Sequence, residues 1–244
     1  MSRIFTQEEL DRMAAQTQDL AKEAIDAGNY QEAKDLIDKM YGELAFLHDG
    51  ATAWIAGLHT HIYNKYGAEA LEEAEREAHT LEMKIALKPA NGDDKYRDMK
   101  AHIMHTASTL HGHVHQPMTI EEDDEKFIFT VAPCGSGGRL MEMGAYTPEV
   151  GFALIKEASP MTYGLTDFPC YCVHCPVTEM LGLEKTGLFR RVHPRTQENV
   201  QSSTCQFVFY KNQKDIPEYY FNRVGYEKPA VQDGSMPAPK LKKD

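Results

Sequence analysis

Up to Leu87 the apolar residues of this chain recur at helical spacing; beyond the break Lys88-Pro-Ala-Asn-Gly92 they gather into short β-forming runs. That change of period predicts an α+β fold, with a helical region over residues 1–90 followed by a sheet-containing, cysteine-rich metal-binding domain over residues 91–227. Residues 228–244, rich in Pro, Lys and Gly, are expected to be a disordered tail. A chain of 244 residues is long enough to bury a sizeable core in this arrangement.

In the helical region, Thr6 followed by Glu9 is a capping-box pattern. Leu10, Met13, Ala14, Thr17, Leu20 and Ala21 continue a helix toward the break at Asp26-Ala-Gly28-Asn29. A second helix is expected from Tyr30 to the Leu47 region, with a bend at Gly42. A third starts near Asp49, carries Trp54, Leu58, Ile62 and Tyr66 on one face, and ends at Gly67. That face is a candidate homodimer surface. A fourth runs from Glu69 to Leu87, and Asp94–Leu110 predicts one more. Lys126–Val131 and Cys205–Tyr210 read as strands, the second with Cys205, Phe207 and Phe209 on one face. Val114–Ile120 is a further strand, on an edge because of Pro117. Short helices are expected at Pro148–Ala158 and Val177–Leu181.

A formal charge of −11 leaves no basic surplus to neutralise phosphates, so neither nucleic acid nor a membrane is an expected partner. No apolar run approaches a membrane span, and Met1-Ser-Arg-Ile-Phe-Thr6 lacks the apolar stretch of a secretory signal. A cytoplasmic location is expected, where thiols stay reduced. The odd count of 5 cysteines also fits a disulfide framework poorly. Closely spaced cysteines then point to a metal or to catalysis.

Cys170-Tyr-Cys172-Val-His174-Cys175 concentrates these residues. Cys172 and Cys175 form a C-x-x-C pair able to clasp one metal from a tight turn, and Cys170 and Cys134 add candidate ligands. Zinc is the expected ion, with His113 or His115 as a further ligand; an iron–sulfur cluster on the same cysteines is the alternative. Small buried core cysteines are the plain alternative to both. If His111-Gly-His113-Val-His115 is extended, its imidazoles share one face; if it is a turn, they do not. His59 and His61 lie two apart on a helix and point in different directions, and His79, on a charged helix, is expected to be exposed. His174 and Glu179 are candidates to move protons, although Glu179 could equally be a surface charge near a helix start.

Cys134-Gly135-Ser136-Gly137-Gly138-Arg139 follows a strand directly. Its glycines could present backbone N–H groups to an anion, with Arg139 adding a bidentate contact. Cys134 is there a ligand or a nucleophile. The segment is neither a P-loop nor a dinucleotide turn, and glycine needed only for turn geometry is the other reading.

The segment Ile62-Tyr-Asn-Lys-Tyr-Gly67-Ala-Glu69-Ala70, the strand leading to Cys134, the cysteine cluster and the late strand Cys205-Gln-Phe-Val-Phe209 together resemble the L-2-amino-thiazoline-4-carboxylate hydrolase family and, more distantly, 4-vinyl reductase domains. The likeness spans roughly Tyr63 to Tyr210, and departs from the family pattern at Cys134–Gly138 and Cys170–Cys175. It implies an α+β domain and chemistry at a C–N or C–S bond of a small molecule, with cysteine or metal involved. The expected function is a zinc-dependent hydrolase or lyase acting on a small anionic substrate. An iron–sulfur redox protein and a non-catalytic zinc-containing sensor or assembly partner are the alternatives.

Overall fold

The computed structural model describes residues 4–86, 99–113, 116–230 and 240–241. The fold mixes helices with small antiparallel sheets, and two compact units divide at Gly50.

In the first unit, α1 (Gln7–Ala14) opens on the capping box: Thr6 Oγ1 accepts from the Glu9 N–H at 3.2 Å, and Glu9 Oε2 accepts from the Thr6 N–H at 2.7 Å. The single helix expected here is two. Ala15 and Gln16 turn extended, with ψ 145° and 133°, and α2 (Thr17–Asp26) starts afresh. Thr17 Oγ1, at its first residue, donates to the Glu43 carboxylate at 2.8 Å. Ala21, Ala24, Ala33 and Leu36 make a small core between α2 and the start of α3 (Tyr30–Tyr66).

α3 runs unbroken where two helices were expected. Glycine costs a helix about 1 kcal/mol but removes no hydrogen bond, so Gly42 and Gly50 weaken α3 without stopping it. A Cβ added at Gly42 or Gly57 meets nothing within 4 Å. Gly42→Ala and Gly57→Ala are therefore expected to stabilise the protein by about 0.5–1 kcal/mol each. Urea denaturation checks this, and an unchanged or lower midpoint would refute it.

The second unit begins within α3, so the Ala51–Tyr66 half of that helix and α4 (Ala68–Ala86) belong with the sheet. Gly67, at φ +88°, turns the chain between them. After α5 (Met99–His111) come β1 (Met118–Glu122) and β2 (Lys126–Val131), which form an antiparallel sheet with β5 (Cys205–Tyr210) in the order β1-β2-β5. β1 follows Pro117 and is an edge strand, as proline requires. Phe129, Val131, Cys205, Phe207 and Phe209 pack with Leu110 of α5. Val208 points the other way, toward the larger core of α4 and α7 (His174–Thr186).

The helix expected at Pro148–Ala158 does not form. Gly151, at φ +80°, turns the chain, and β3 (Leu154–Ile155) pairs with β4 (Phe168–Pro169). β4 leads into a 3₁₀ turn, Cys170–Val173, and then into α7. α6 (Gly137–Glu142) follows the glycine-rich turn, and α8 (Glu218–Asn222) lies near the end. β6 (Tyr226–Glu227) pairs with β7 (Lys240–Leu241), which falls within the segment expected to be a tail. Among the described residues no helix is long and apolar enough to cross a membrane.

Candidate active site

The 3₁₀ turn after β4 sends its cysteines in different directions. Cys170 is fully buried, with its sulfur 3.3 Å from Thr60 Oγ1 and 3.5 Å from the Ala56 carbonyl of α3. It packs the core and does not reach the other candidate ligands. Cys172 and Cys175 instead line a cavity of about 270 Å³, together with Cys134 from the turn after β2 and Cys205 from β5. His113 also reaches this cavity, from a turn just beyond α5. The helix continues through His111, so the extended platform of imidazoles does not form over His111–His113. His115 lies outside the described residues.

Cys175 occupies the first turn of α7, where the helix favours negative charge. His174 Nδ1 donates to the Tyr171 carbonyl at 2.7 Å and directs Nε2 to the Cys175 sulfur at 3.3 Å. Burial pushes the Cys175 thiol up, but the charges of His174 and His193 and the hydrogen bond of His174 outweigh it and hold the thiol well below its usual range. For His174 burial acts downward; the Cys175 charge and hydrogen bond, the Tyr171 carbonyl and Glu75 raise it to about 10. Both shifts favour the thiolate–imidazolium form of the pair.

His193, on the loop before β5, lines the same cavity, with its Nε2 buried and without a hydrogen-bond partner among the described residues. Its Nδ1 donates to Glu179 Oε1 at 2.6 Å, and Tyr163 OH donates to the same oxygen at 2.8 Å. With Nδ1–H committed to a carboxylate, the other ring nitrogen is left to serve Cys175 as acceptor or donor. Glu179 is not a surface charge: it is 5% exposed on the inner face of α7. Buried carboxylates need a counter-charge. Arg223 provides one, with Nη2 3.7 Å from Glu179 Oε2 and its guanidinium 3.9 Å from the Tyr163 ring centre and 4.6 Å from that of Tyr220.

A second buried carboxylate stands behind His174. Glu75 of α4 stands 2.6 Å from His59 Nε2 and 3.1 Å from His79 Nε2. His79 bonds Glu82 in turn at 2.9 Å, so it is a half-buried network member and not the exposed residue expected from its charged helix. Burial raises the Glu75 pKa, yet hydrogen bonds from His59 and His79 bring it to about 2.

The cavity's cations differ from those expected. Arg139 of α6 is not among its lining residues, whereas Arg191 and Arg195 are. Arg195 Nη1 donates to the carbonyls of Asn199 (2.7 Å) and Ser202 (3.0 Å), which fixes the guanidinium. The sulfurs of Cys205, Cys172, Cys175 and Cys134 all act on its charge. Burial drives the Cys205 thiol up to about 12 even against the pull of Arg195.

The glycine-rich turn is explained by close packing. The Gly135 N–H is already taken by Gln116 Oε1 at 2.6 Å. A Cβ on Gly137 would stand 2.7 Å from the Cys172 sulfur, and one on Gly138 would stand 2.2 Å from the Ser203 carbonyl oxygen. Ser136 and Gly137 still border the cavity. Gly138→Ala forces backbone to move and is expected to destabilise by about 1–3 kcal/mol. Thermal unfolding measures this, and a neutral result would contradict the packing.

Sequence reasoning missed His193, Glu75, Tyr163, Arg223 and Arg195. No local pattern links Glu179 to His193, 14 residues apart; the fold alone joins them. The one local hint was a histidine inside Arg190-Arg191-Val192-His193-Pro194-Arg195, just upstream of a predicted strand. Comparison with protein-family models, curated proteins and solved structures gave no match.

Proposed function

We propose that the cavity is the active site of an enzyme that cleaves a C–N or C–S bond in a small anionic organic molecule, with Cys175 as the attacking group. The observation that carries this reading is Cys175 with His174 Nε2 at 3.3 Å, in a cavity that His193, itself bonded to Glu179, also lines. A thiolate flanked by an imidazolium, with a second histidine oriented by a carboxylate, is the arrangement nucleophilic thiol chemistry requires. In this mechanism Cys175 adds to an electrophilic carbon, the C–N or C–S bond breaks as His193 protonates the leaving nitrogen or sulfur, and water, giving a proton to His193, then displaces the Cys175 sulfur to release the product. Glu179, fixed by Tyr163 and Arg223, holds the ring in one tautomer. Arg195, with Arg191 at the cavity wall, seats the substrate's anionic group. The resemblance to a family acting at such bonds points to the same reaction class.

Turnover of a panel of small carboxylates bearing cyclic amidine, thioether or thioester groups tests the proposal. Cys175→Ser is expected to abolish turnover, His193→Ala to lower it about 10²–10⁴-fold, and Arg195→Lys to raise KM. Full activity in Cys175→Ser would rule the mechanism out.

Zinc is the second reading, supported by Cys134, Cys172, Cys175 and His113 lining one cavity. As arranged, no group of three or more His, Cys, Asp or Glu among the described residues is set to hold a metal ion. Binding would require these side chains to close on the ion, so no catalytic step is routed through it. Elemental analysis of the purified protein, of Cys172→Ser and of Cys134→Ser decides: stoichiometric zinc lost in both variants supports a zinc centre, and metal content unchanged in both rejects it. A brown protein with iron would instead favour the iron–sulfur alternative.

A further inference from the structure

We infer that Cys172 and Cys175 form a reversible oxidation site, in which a hydroperoxide oxidises Cys175 and Cys172 closes a disulfide onto it. The inference rests on the reading of Cys175 as the attacking sulfur and adds a way of switching that sulfur off.

Three observations select this pair. The two cysteines are one turn apart where the 3₁₀ segment Cys170–Val173 passes into α7. Residues three apart in such turns have Cα atoms roughly 5–6 Å apart, within the range a disulfide spans. Both side chains border the same cavity, through which a small oxidant can arrive. The neighbouring Cys170 is turned away toward Thr60 and Ala56, which removes it as a competitor. The Cys172 sulfur, for its part, is packed against the bare Cα of Gly137 at the border of the cavity that Cys175 also lines.

The chemistry balances with hydroperoxide as the only added reagent. The Cys175 sulfur attacks the terminal peroxide oxygen and the O–O bond breaks. Two electrons leave sulfur, and the alcohol, or water from hydrogen peroxide, departs with a proton. His174 Nε2, 3.3 Å from the sulfur, is placed to supply that proton. Cys172 then attacks the oxidised sulfur, the S–S bond forms, the S–O bond breaks, and water leaves with the Cys172 proton. In sum, two thiols and one hydroperoxide give a disulfide, an alcohol and water.

The test uses the full chain, reduced, desalted, exposed to a small excess of hydrogen peroxide, then denatured, alkylated with iodoacetamide and digested with trypsin. The peptide Glu157–Lys185 carries Cys170, Cys172 and Cys175. It is expected to appear lighter by two hydrogens, alkylated at Cys170 alone, and restored by dithiothreitol. Alkylation of Cys175 should fall roughly tenfold or more. In Cys172→Ser the bridge should vanish and Cys175 should gain oxygen instead, while Cys134→Ser should bridge as the wild type does. A bridge from Cys134 to Cys205 or Cys172, or full alkylation of all cysteines after exposure, would overturn the inference. The alkylation rate of Cys175 in the reduced native protein separates the two readings. Rapid alkylation without a bridge rejects the switch and leaves the nucleophile standing; slow alkylation without a bridge rejects both.

Discussion

Iodoacetamide is expected to alkylate Cys175 at pH 7 at least roughly tenfold faster than any other cysteine of the native protein. The thiolate is the reacting form, and an ordinary thiol is only about three per cent ionised at that pH. Burial holds Cys170, Cys172 and Cys205 above the usual thiol range, whereas His174 and His193 hold Cys175 below it. The pH profile has a defined sign. The depressed Cys175 thiol stays ionised through neutral pH, and its rate falls only as pH drops through its lowered pKa. On the alkaline side His174 loses its proton near pH 10. His174→Gln removes the nearer positive charge, so the Cys175 thiol should rise and its rate at pH 7 should drop. A Cys175 profile rising with a midpoint near 9, like that of a free thiol, would rule out the ion pair.

Glu75→Gln is expected to cost about 3–5 kcal/mol of stability at pH 7, the usual result of removing one partner from a buried charged network. The change leaves His59 and His79 facing a neutral amide with one acceptor oxygen. A carboxylate moved from 4.5 to about 2 contributes about 3 kcal/mol through linkage alone. That contribution is complete above pH 4.5 and is lost as pH falls toward 2. His79 is raised by its Glu75 hydrogen bond, against the opposing effect of burial, so its contribution is present below pH 6.5 and fades as pH rises. Stability from this network should therefore peak between about pH 4.5 and 6.5. Urea denaturation of wild type and Glu75→Gln at pH 7 and pH 3 reads both effects. A gap between the two proteins that does not shrink at pH 3 would show that Glu75 is not the titrating group.

The parts of the fold written in local pattern were legible from sequence. The capping box at Thr6, the end of α3 at Gly67, and strands β2 and β5 each follow from residues adjacent in the chain. The misread boundaries were set by competition that local pattern does not record. α1 stops where Thr17 finds Glu43, far along the chain, and α3 continues because its glycines are tolerated at small cost. The site shows the same division. Cys134, Cys172 and Cys175 stood out as a cluster, but spacing did not reveal that Cys170 points into the core. Glu75, His193 and Arg223 were invisible for a related reason: each meets a partner on another element, Glu75 at His59 of α3 and both His193 and Arg223 at Glu179 of α7.

Any homologue that shares this site should be recognisable by what it lacks as much as by what it carries. Because Cys172 and the Ser203 carbonyl crowd the Cα atoms of Gly137 and Gly138, a side chain at either position forces its neighbour to move. A search fingerprint would then read Cys-x-x-Gly-Gly, a later Cys-His-Cys-x-x-x-Glu core built on Cys172, His174, Cys175 and Glu179 with one residue after the first cysteine, and a His-x-Arg upstream of a strand. A sequence that kept every cysteine but placed alanine in the glycine pair would have to seat its thiols differently. It should be sorted apart from this chain, however similar the remainder.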